Sequence, residues 1–412
     1  MSRTIIIGID GVPFHMMDEL SDSSDMPNFA EIKKEGYFSK MHAAIPEVSN
    51  VNWTSIVTGV NPGEHGIFGF TDLIQGTYTV SFPDRRAMKA PAFWNDKSKR
   101  YVIINVPAMY PAPKINGVFV SGFVSLDLEN SITPKSLIPK FKEMNYEVDV
   151  DSSKAHKSIS LFLDELFKTL DAREKAYKHF WKKRWDTFML VFTGSDRLEH
   201  FLMDAYEDGS HEYHERFVEY YREVDRMIGD IYKDMNEDDR LIMMSDHGME
   251  PIKQNVNVNA VLDEQGFLEL GDKPDERYKN IKEGTKAFAL DPGRIYLNRK
   301  GRYPRGAVED GEEIIDEIIP LFKDLKYEGE NVIKKVYRKE EAYHGEYVDR
   351  APDIVLTPNS GYNLKGGVKY KSLFEQNIFK GKHTEHDAFL YCNDVEPPEN
   401  PKVEDVRGLI EK

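Results

Sequence analysis

Three short apolar runs, each followed at once or within a few residues by an aspartate, constrain this chain more than any other feature. Asp10 follows Thr4-Ile-Ile-Ile-Gly-Ile9, Asp196 follows Thr187-Phe-Met-Leu-Val-Phe-Thr193, and Asp246 follows Leu241-Ile-Met-Met-Ser245. Apolar runs of this length read as strands buried on both faces, the habit of parallel sheets. In such sheets ligands bind beyond the carboxyl ends of the strands. His200 lies one helical turn after Asp196, and His247 directly follows Asp246. Carboxylates and imidazoles gathered at one sheet edge are a donor set for a zinc-like dication.

The helical stretches between the runs support the same architecture. Leu161, Phe162, Leu166, Phe167 and Leu170 recur at helical spacing ahead of the run at 187–193. Phe217, Tyr221, Val224, Ile228 and Ile231 do so ahead of the run at 241–245. Strand, long helix, strand is the crossover unit of a parallel sheet. From 255 to 340 the pattern loosens, with only Ala289–Leu297 reading as a strand pair; Asp353–Thr357 then restores an apolar run. The expectation is an α/β fold, a mostly parallel central sheet with helices on both faces. Residues 1–254 and 341–412 would form the core and 255–340 a smaller inserted cap.

With 71 acidic against 55 basic residues the net charge is −16, which opposes a nucleic-acid polymer or an anionic membrane as partner. A small phosphate ester is not excluded, because bound dications would invert the local field. One cysteine, Cys392, rules out an intrachain disulfide and leaves N and O atoms to hold any metal. The opening apolar stretch is too short for a signal-peptide core, so the expected compartment is the cytoplasm.

Ser49 is the candidate nucleophile. It opens Ser49-Asn-Val-Asn-Trp-Thr-Ser-Ile-Val57, which reads as a helix start, where the dipole and backbone N–H groups favour a phosphate. Metal coordination is one way to activate a serine hydroxyl near neutral pH. Asn52, one turn on, would donate to a phosphoryl oxygen. The plainer alternatives are that Ser49 and Asp10 are helix caps. Asp246-His247-Gly248 is more specific, since the glycine permits a tight turn that turns both side chains to the sheet edge. His65 reads as a residue that orders the loop after the Ser49 helix.

Taken in order, Ile9-Asp10-Gly11, Pro46 to Gly59 with His65-Gly66-Ile67, Ser195-Asp196-Arg-Leu-Glu-His200, Ser245-Asp246-His247-Gly248-Met249 and Gly381-Lys-His383 resemble the alkaline phosphatase superfamily. Within it they are most similar to the type I phosphodiesterase/nucleotide pyrophosphatase family. The resemblance implies two divalent metals about 4 Å apart, zinc as the first expectation and manganese as the other. Asp196, His200 and His383 would hold one; Asp10, Asp246, His247 and Ser49 would hold the second. It further implies a covalent intermediate on Ser49, a phosphate-binding role for Asn52, and a small phosphate ester, nucleotides included, as substrate. The chain departs from the family at Asn50 and Val51, where relatives often carry an aromatic and a proline. The alternatives on the same scaffold are a phosphomonoesterase and a cofactor-independent phosphomutase. No arginine lies within ten residues of Ser49 to grip a monoester's extra charge. Ser49-Asn-Val-Asn-Trp53 lacks the Pro and Arg of a sulfatase.

Overall fold

The apolar runs become neighbouring strands of one sheet. The computed structural model describes residues 3–369, 372–376 and 378–412, and the chain divides into two units. The first comprises Met1–Val60, Asp84–Pro251 and Ile378–Lys412. Its strands are β1 (Thr4–Ile9), β2 (Tyr37–Met41), β3 (Tyr101–Val106), β4 (Gly117–Ser121), β5 (Ile132–Thr133), β6 (Thr187–Phe192), β7 (Arg240–Met244), β8 (Gly248–Pro251), β9 (Gly381–Thr384) and β10 (Ala388–Cys392). Eight of them form the central sheet in the order β2-β10-β7-β1-β6-β3-β4-β5.

The five strands from β7 to β4 run parallel. Antiparallel β10 and β2 extend one side and antiparallel β5 closes the other. Both faces of the centre are covered, so Ile5, Ile6, Ile7, Leu190, Met243 and Met244 are all buried. The expected α/β sheet, mostly parallel and flanked by helices, is what the chain forms. Helices α1 (Phe14–Asp22), α2 (Ser49–Thr58), α3 (Ile159–Trp181), α4 (Gly194–Glu207) and α5 (His214–Lys233) belong to this unit. Helix α5 buries Phe217, Tyr221, Val224, Ile228 and Ile231, the stripe its spacing predicts. Register decides where the site falls. Ile9 pairs with Phe192 and Gly8 with Met244, so the carboxyl ends of β6, β1 and β7 lie level.

The second unit, Asn61–Pro83 and Ile252–Asn377, is built on its own core. A four-stranded antiparallel sheet joins Ala287–Leu290, Arg294–Leu297, Ile354–Pro358 and Ile333–Arg338, with helix Glu312–Lys323 contributing Ile315, Ile318 and Phe322 to the core. The strand pair expected over 289–297 is this hairpin. The expected boundaries need revision. The apolar run at 353–357 does not return to the core but pairs with 333–338 and 294–297, and residues 61–83 also belong to the second unit. A buried strand of either sheet carries the same apolar pattern, so composition alone assigns it to neither. Among the described residues no helix is long and apolar enough to cross a membrane.

Candidate active site

Three strand ends and one helix start bring the titratable groups together. Asp10 and Asp246 leave the ends of β1 and β7, and Asp196 sits in the first turn of α4, just past β6. One turn along α4, His200 projects on the same side as Asp196, its Nε2 3.4 Å from Asp196 Oδ1. His383 arrives on β9, which pairs with β8 so that His383 faces Met249. Ser49 is the first residue of α2; Val48 before it is extended, and Gly59 ends the helix in the left-handed region at φ 68°.

Val48 takes the capping position, so Ser49 is the first residue inside the helix and not its cap. Ser49 Oγ lies 3.1 Å from His247 Nε2 and 3.3 Å from Asp10 Oδ1. His383 Nε2 is 3.1 Å from Asp196 Oδ1 and 2.9 Å from His200 Nε2. The His247 and His383 rings stack with centroids 3.7 Å apart. Within this cluster Asp10, Asp246 and His247 converge as one group of ligand atoms, and Asp196, His247 and His383 as another.

The hydrogen bonds on the far side of each imidazole fix its tautomer. Nδ1 of His200 faces Gly381 O at 2.9 Å, that of His383 faces Glu47 O at 2.7 Å, and that of His247 faces Gly248 O at 3.1 Å. A carbonyl oxygen only accepts, so Nδ1 carries the proton in each ring and the bare Nε2 lone pair points into the cluster. Two such lone pairs 2.9 Å apart, among three carboxylates, repel unless a cation lies between them. Burial holds His383 down to about 3, with His247 adding to the effect, and burial likewise lowers His200. Both rings are therefore neutral, as metal ligands must be.

The carboxylates divide. Burial, then the charges of Asp246 and Asp196, raises Asp10 well above the usual range, and burial with Asp196 pushes Asp246 up to about 7. Burial opposes ionisation of Asp196 as well, but that carboxyl is held well below the usual range, with the Arg197 guanidinium bound to it favouring the charged form. Asp246 Oδ2 is buried without any hydrogen-bond partner. An orphaned carboxylate oxygen, three bare imidazole nitrogens and two further carboxylates fit a pair of N/O-bound dications.

Each sequence-predicted ligand, Asp10, Ser49, Asp196, His200, Asp246, His247 and His383, lies in this cluster. Asn52 does not. It is 0% exposed, its Oδ1 accepts the Ala44 amide at 2.6 Å, and its Nδ2 donates to Val48 O at 3.1 Å. These bonds brace the segment leading into the nucleophile, and one N–H of the Asn52 amide takes no part in them. Gly248 also acts differently from expectation. It opens β8, and a Cβ there would lie 2.5 Å from Thr384 Oγ1, so the glycine serves close strand approach and not a turn. His65 is buried and accepts the Ile67 amide at Nδ1, ordering its loop as its position suggests.

Two contributors escaped the sequence. Trp53 donates its indole N–H to Asp10 Oδ2 at 3.0 Å, and Arg197 donates Nη1 to Asp196 Oδ2 at 2.7 Å. Their only sequence signals are a glycine inside the first apolar run and an arginine beside Asp196. A Cβ on Gly8 would lie 2.4 Å from Trp53 Cη2, so the glycine makes room for the indole.

Solved structures share this fold. Phosphonoacetate hydrolase from Sinorhizobium meliloti 1021, in complex with phosphonoacetate, superposes with a TM-score of 0.68 at 19% identity, covering 98% of this chain and 94% of its own. Murine ectonucleotide pyrophosphatase/phosphodiesterase 5, as an inactive variant in complex with AMP, gives 0.57 at 15% identity over 100% and 94%. Among proteins of curated function none matches the sequence. The family model for type I phosphodiesterase/nucleotide pyrophosphatase matches residues 4–385. The chain belongs to the type I phosphodiesterase/nucleotide pyrophosphatase family and is a hydrolase of phosphoric ester bonds.

Proposed function

We propose that this enzyme hydrolyses a small phosphodiester or pyrophosphate by nucleophilic attack of Ser49 at a site holding two divalent cations, zinc before manganese. The observation that carries the reading is the Ser49 Oγ contact with both Asp10 and His247 at the start of α2. Asp196, His200 and His383 would hold one cation and Asp10, Asp246, His247 and Ser49 the other. When bound, the cations lower the pKa of the attacking hydroxyl and neutralise charge on the phosphoryl oxygens.

The chain's own groups do the rest. The Ser49 hydroxyl lies beside Asp10 Oδ1 and His247 Nε2, the atoms that would share its cation, so the proton it loses would pass to water. The new Oγ–P bond forms as the ester oxygen leaves, and water then cleaves that bond to free Ser49. The first turn of α2 presents the positive end of its dipole to the phosphoryl group. Asn52 holds the segment before the nucleophile through Ala44 and Val48.

A phosphomonoesterase is the second reading, and Arg197 bears on it. Its guanidinium lies beside the site, but it is bound to Asp196 and, through Nε, to Asp149 Oδ2 at 3.1 Å, which favours the diester. The family and the AMP carried by one structural relative leave nucleotides among the candidate substrates. The phosphonoacetate bound to the other adds phosphonates.

Hydrolysis of bis(p-nitrophenyl) phosphate and p-nitrophenyl phosphate by chelator-stripped and Zn- or Mn-reloaded protein tests the proposal. Metal-dependent turnover favouring the diester, and lost in Ser49→Ala, is expected. Preference for the monoester moves the assignment to a phosphatase, and full activity in Ser49→Ala removes the covalent mechanism.

A further inference from the structure

Helix α4 is interrupted two residues after His200, where Leu202 leaves the helical region at φ −137° and ψ 23°. An unbroken helix offers each carbonyl to the amide four residues on. Here the His200 carbonyl accepts the amide of Lys380, far along the chain, at 2.7 Å. The segment that supplies this amide grips the same turn of α4 at further points. Gly381 O accepts the His200 Nδ1–H at 2.9 Å, and Lys380 Nζ lies 2.9 Å from Asp204 Oδ2. The Phe379 ring sits 5.6 Å from the His200 ring and 5.1 Å from that of Phe201, centre to centre. Two residues past Gly381 the same strand delivers His383, whose Nε2 is 2.9 Å from that of His200.

An approach this close requires glycine. A Cβ at position 381 would lie 2.6 Å from Glu199 O and 3.1 Å from Met249 Cγ. The oxygen belongs to the main chain of α4 and cannot swing aside as the tip of a side chain does. A methyl group there pushes the segment off the helix and stretches both of its bonds to His200, the one to the carbonyl and the one to the ring. Asp10, Asp246, His247 and Ser49 are held elsewhere, by the ends of β1 and β7 and by the start of α2.

We propose that Phe379 and Gly381 are positioning residues for His200. Docked on the break in α4, they aim the bare Nε2 of that ring at Asp196 and His383, and so set the affinity for the cation these three residues would hold. The proposal rests on the two-cation site put forward above. A partner that orients a ligating imidazole through its far nitrogen contributes about 10–100-fold to metal affinity. The effect of either residue therefore passes through His200, and removing His200 removes it.

The test is a double-mutant cycle read by zinc titration of the chelator-stripped full chain, in wild type, Gly381→Ala, His200→Ala and the double variant. Gly381→Ala should lower the affinity for one of the two zinc ions at least about tenfold and leave the other unchanged. In the His200→Ala background the same substitution should change nothing further, because residues that act through one another are not additive. A glycine that serves only the fold lowers zinc binding by the same factor whether or not His200 is present. That result, or no effect of Gly381→Ala, overturns the proposal. If Gly381→Ala does not fold, Phe379→Ala takes its place in the cycle, since it removes the ring beside His200 and leaves the main chain free to dock. A wild-type protein that binds no zinc, or a His200→Ala protein that binds zinc as the wild type does, overturns the two-cation site and the positioning with it. Zinc binding that depends on His200, with an additive effect of Gly381 or Phe379, overturns the positioning alone.

Discussion

Cation binding to the stripped site should expel protons, and fewer of them as pH rises. Burial, followed by the charge of Asp196, pushes the Asp246 carboxyl up to about 7. Such a group carries about 0.9 of a proton at pH 6 and about 0.1 at pH 8. A ligating carboxylate is ionised, so Asp246 alone implies about 0.8 more protons released at pH 6 than at pH 8. Asp10, raised mainly by burial and then by Asp246 and Asp196, adds release of the same sign. His200 and His383 add little, because burial keeps both neutral before the metal arrives. Apparent affinity should drop about fivefold from pH 7 to pH 6 on the Asp246 account. Zinc titrations at pH 6, 7 and 8, each in two buffers of different ionisation enthalpy, count the protons directly. Asp246→Asn should remove most of the pH-dependent part. Release that is the same at pH 6 and pH 8, or that survives Asp246→Asn intact, would refute the view that burial stores protons on these carboxylates.

Three further expectations follow from particular contacts. Asn52→Ala should destabilise the protein by about 1–3 kcal/mol in urea titrations, because the buried Ala44 amide loses its acceptor; lost turnover at unchanged stability would instead return Asn52 to a phosphate-binding role. Gly8→Ala places a methyl 2.4 Å from Trp53 Cη2 and 3.1 Å from Val191 Cγ2. Overpacking of this kind costs about 1–3 kcal/mol, so a melting temperature equal to wild type would contradict the packing described here. His65, held down to about 3 by burial, binds its proton far more weakly folded than unfolded. Its contribution is complete above about pH 6.5 and is lost as pH falls, by about 2 kcal/mol between pH 6.5 and pH 5. Unfolding titrations at pH 7 and pH 5 should show that loss in the wild type and a smaller one in His65→Gln.

The sheet and the cluster of acids and imidazoles at its edge were legible because both depend on local order. A buried parallel strand must be a short apolar run, and a ligand at its carboxyl end must follow that run, so Asp10, Asp196 and Asp246 announce themselves. His200 follows from helical spacing. Spacing cannot say which way the Asn52 side chain leaves the first turn of its helix, and its bonds to Ala44 and Val48 were not legible. Trp53 was hidden because its partner, Asp10, is reached only through the packing of α2 against Gly8 of β1, and Arg197 because adjacency to Asp196 does not say that its side chain folds back onto it. The extent of the second unit was hidden for a related reason. Ile354–Pro358 has the pattern of a core strand and finds its partners at 333–338 and 294–297.

Strand order imposes a schedule on the growing chain. Tyr37–Met41 has a single partner in the central sheet, Ala388–Cys392, and that strand also joins it to Arg240–Met244. At 5–20 residues per second, roughly 20 to 70 s of synthesis separate the two. For that interval the ribosome-bound chain presents an open strand edge, the surface that chaperones cover and aggregation exploits. His383 emerges only just ahead of the same strand, so the nascent protein cannot bring it against Asp196 and His200 until the sheet is ready to close.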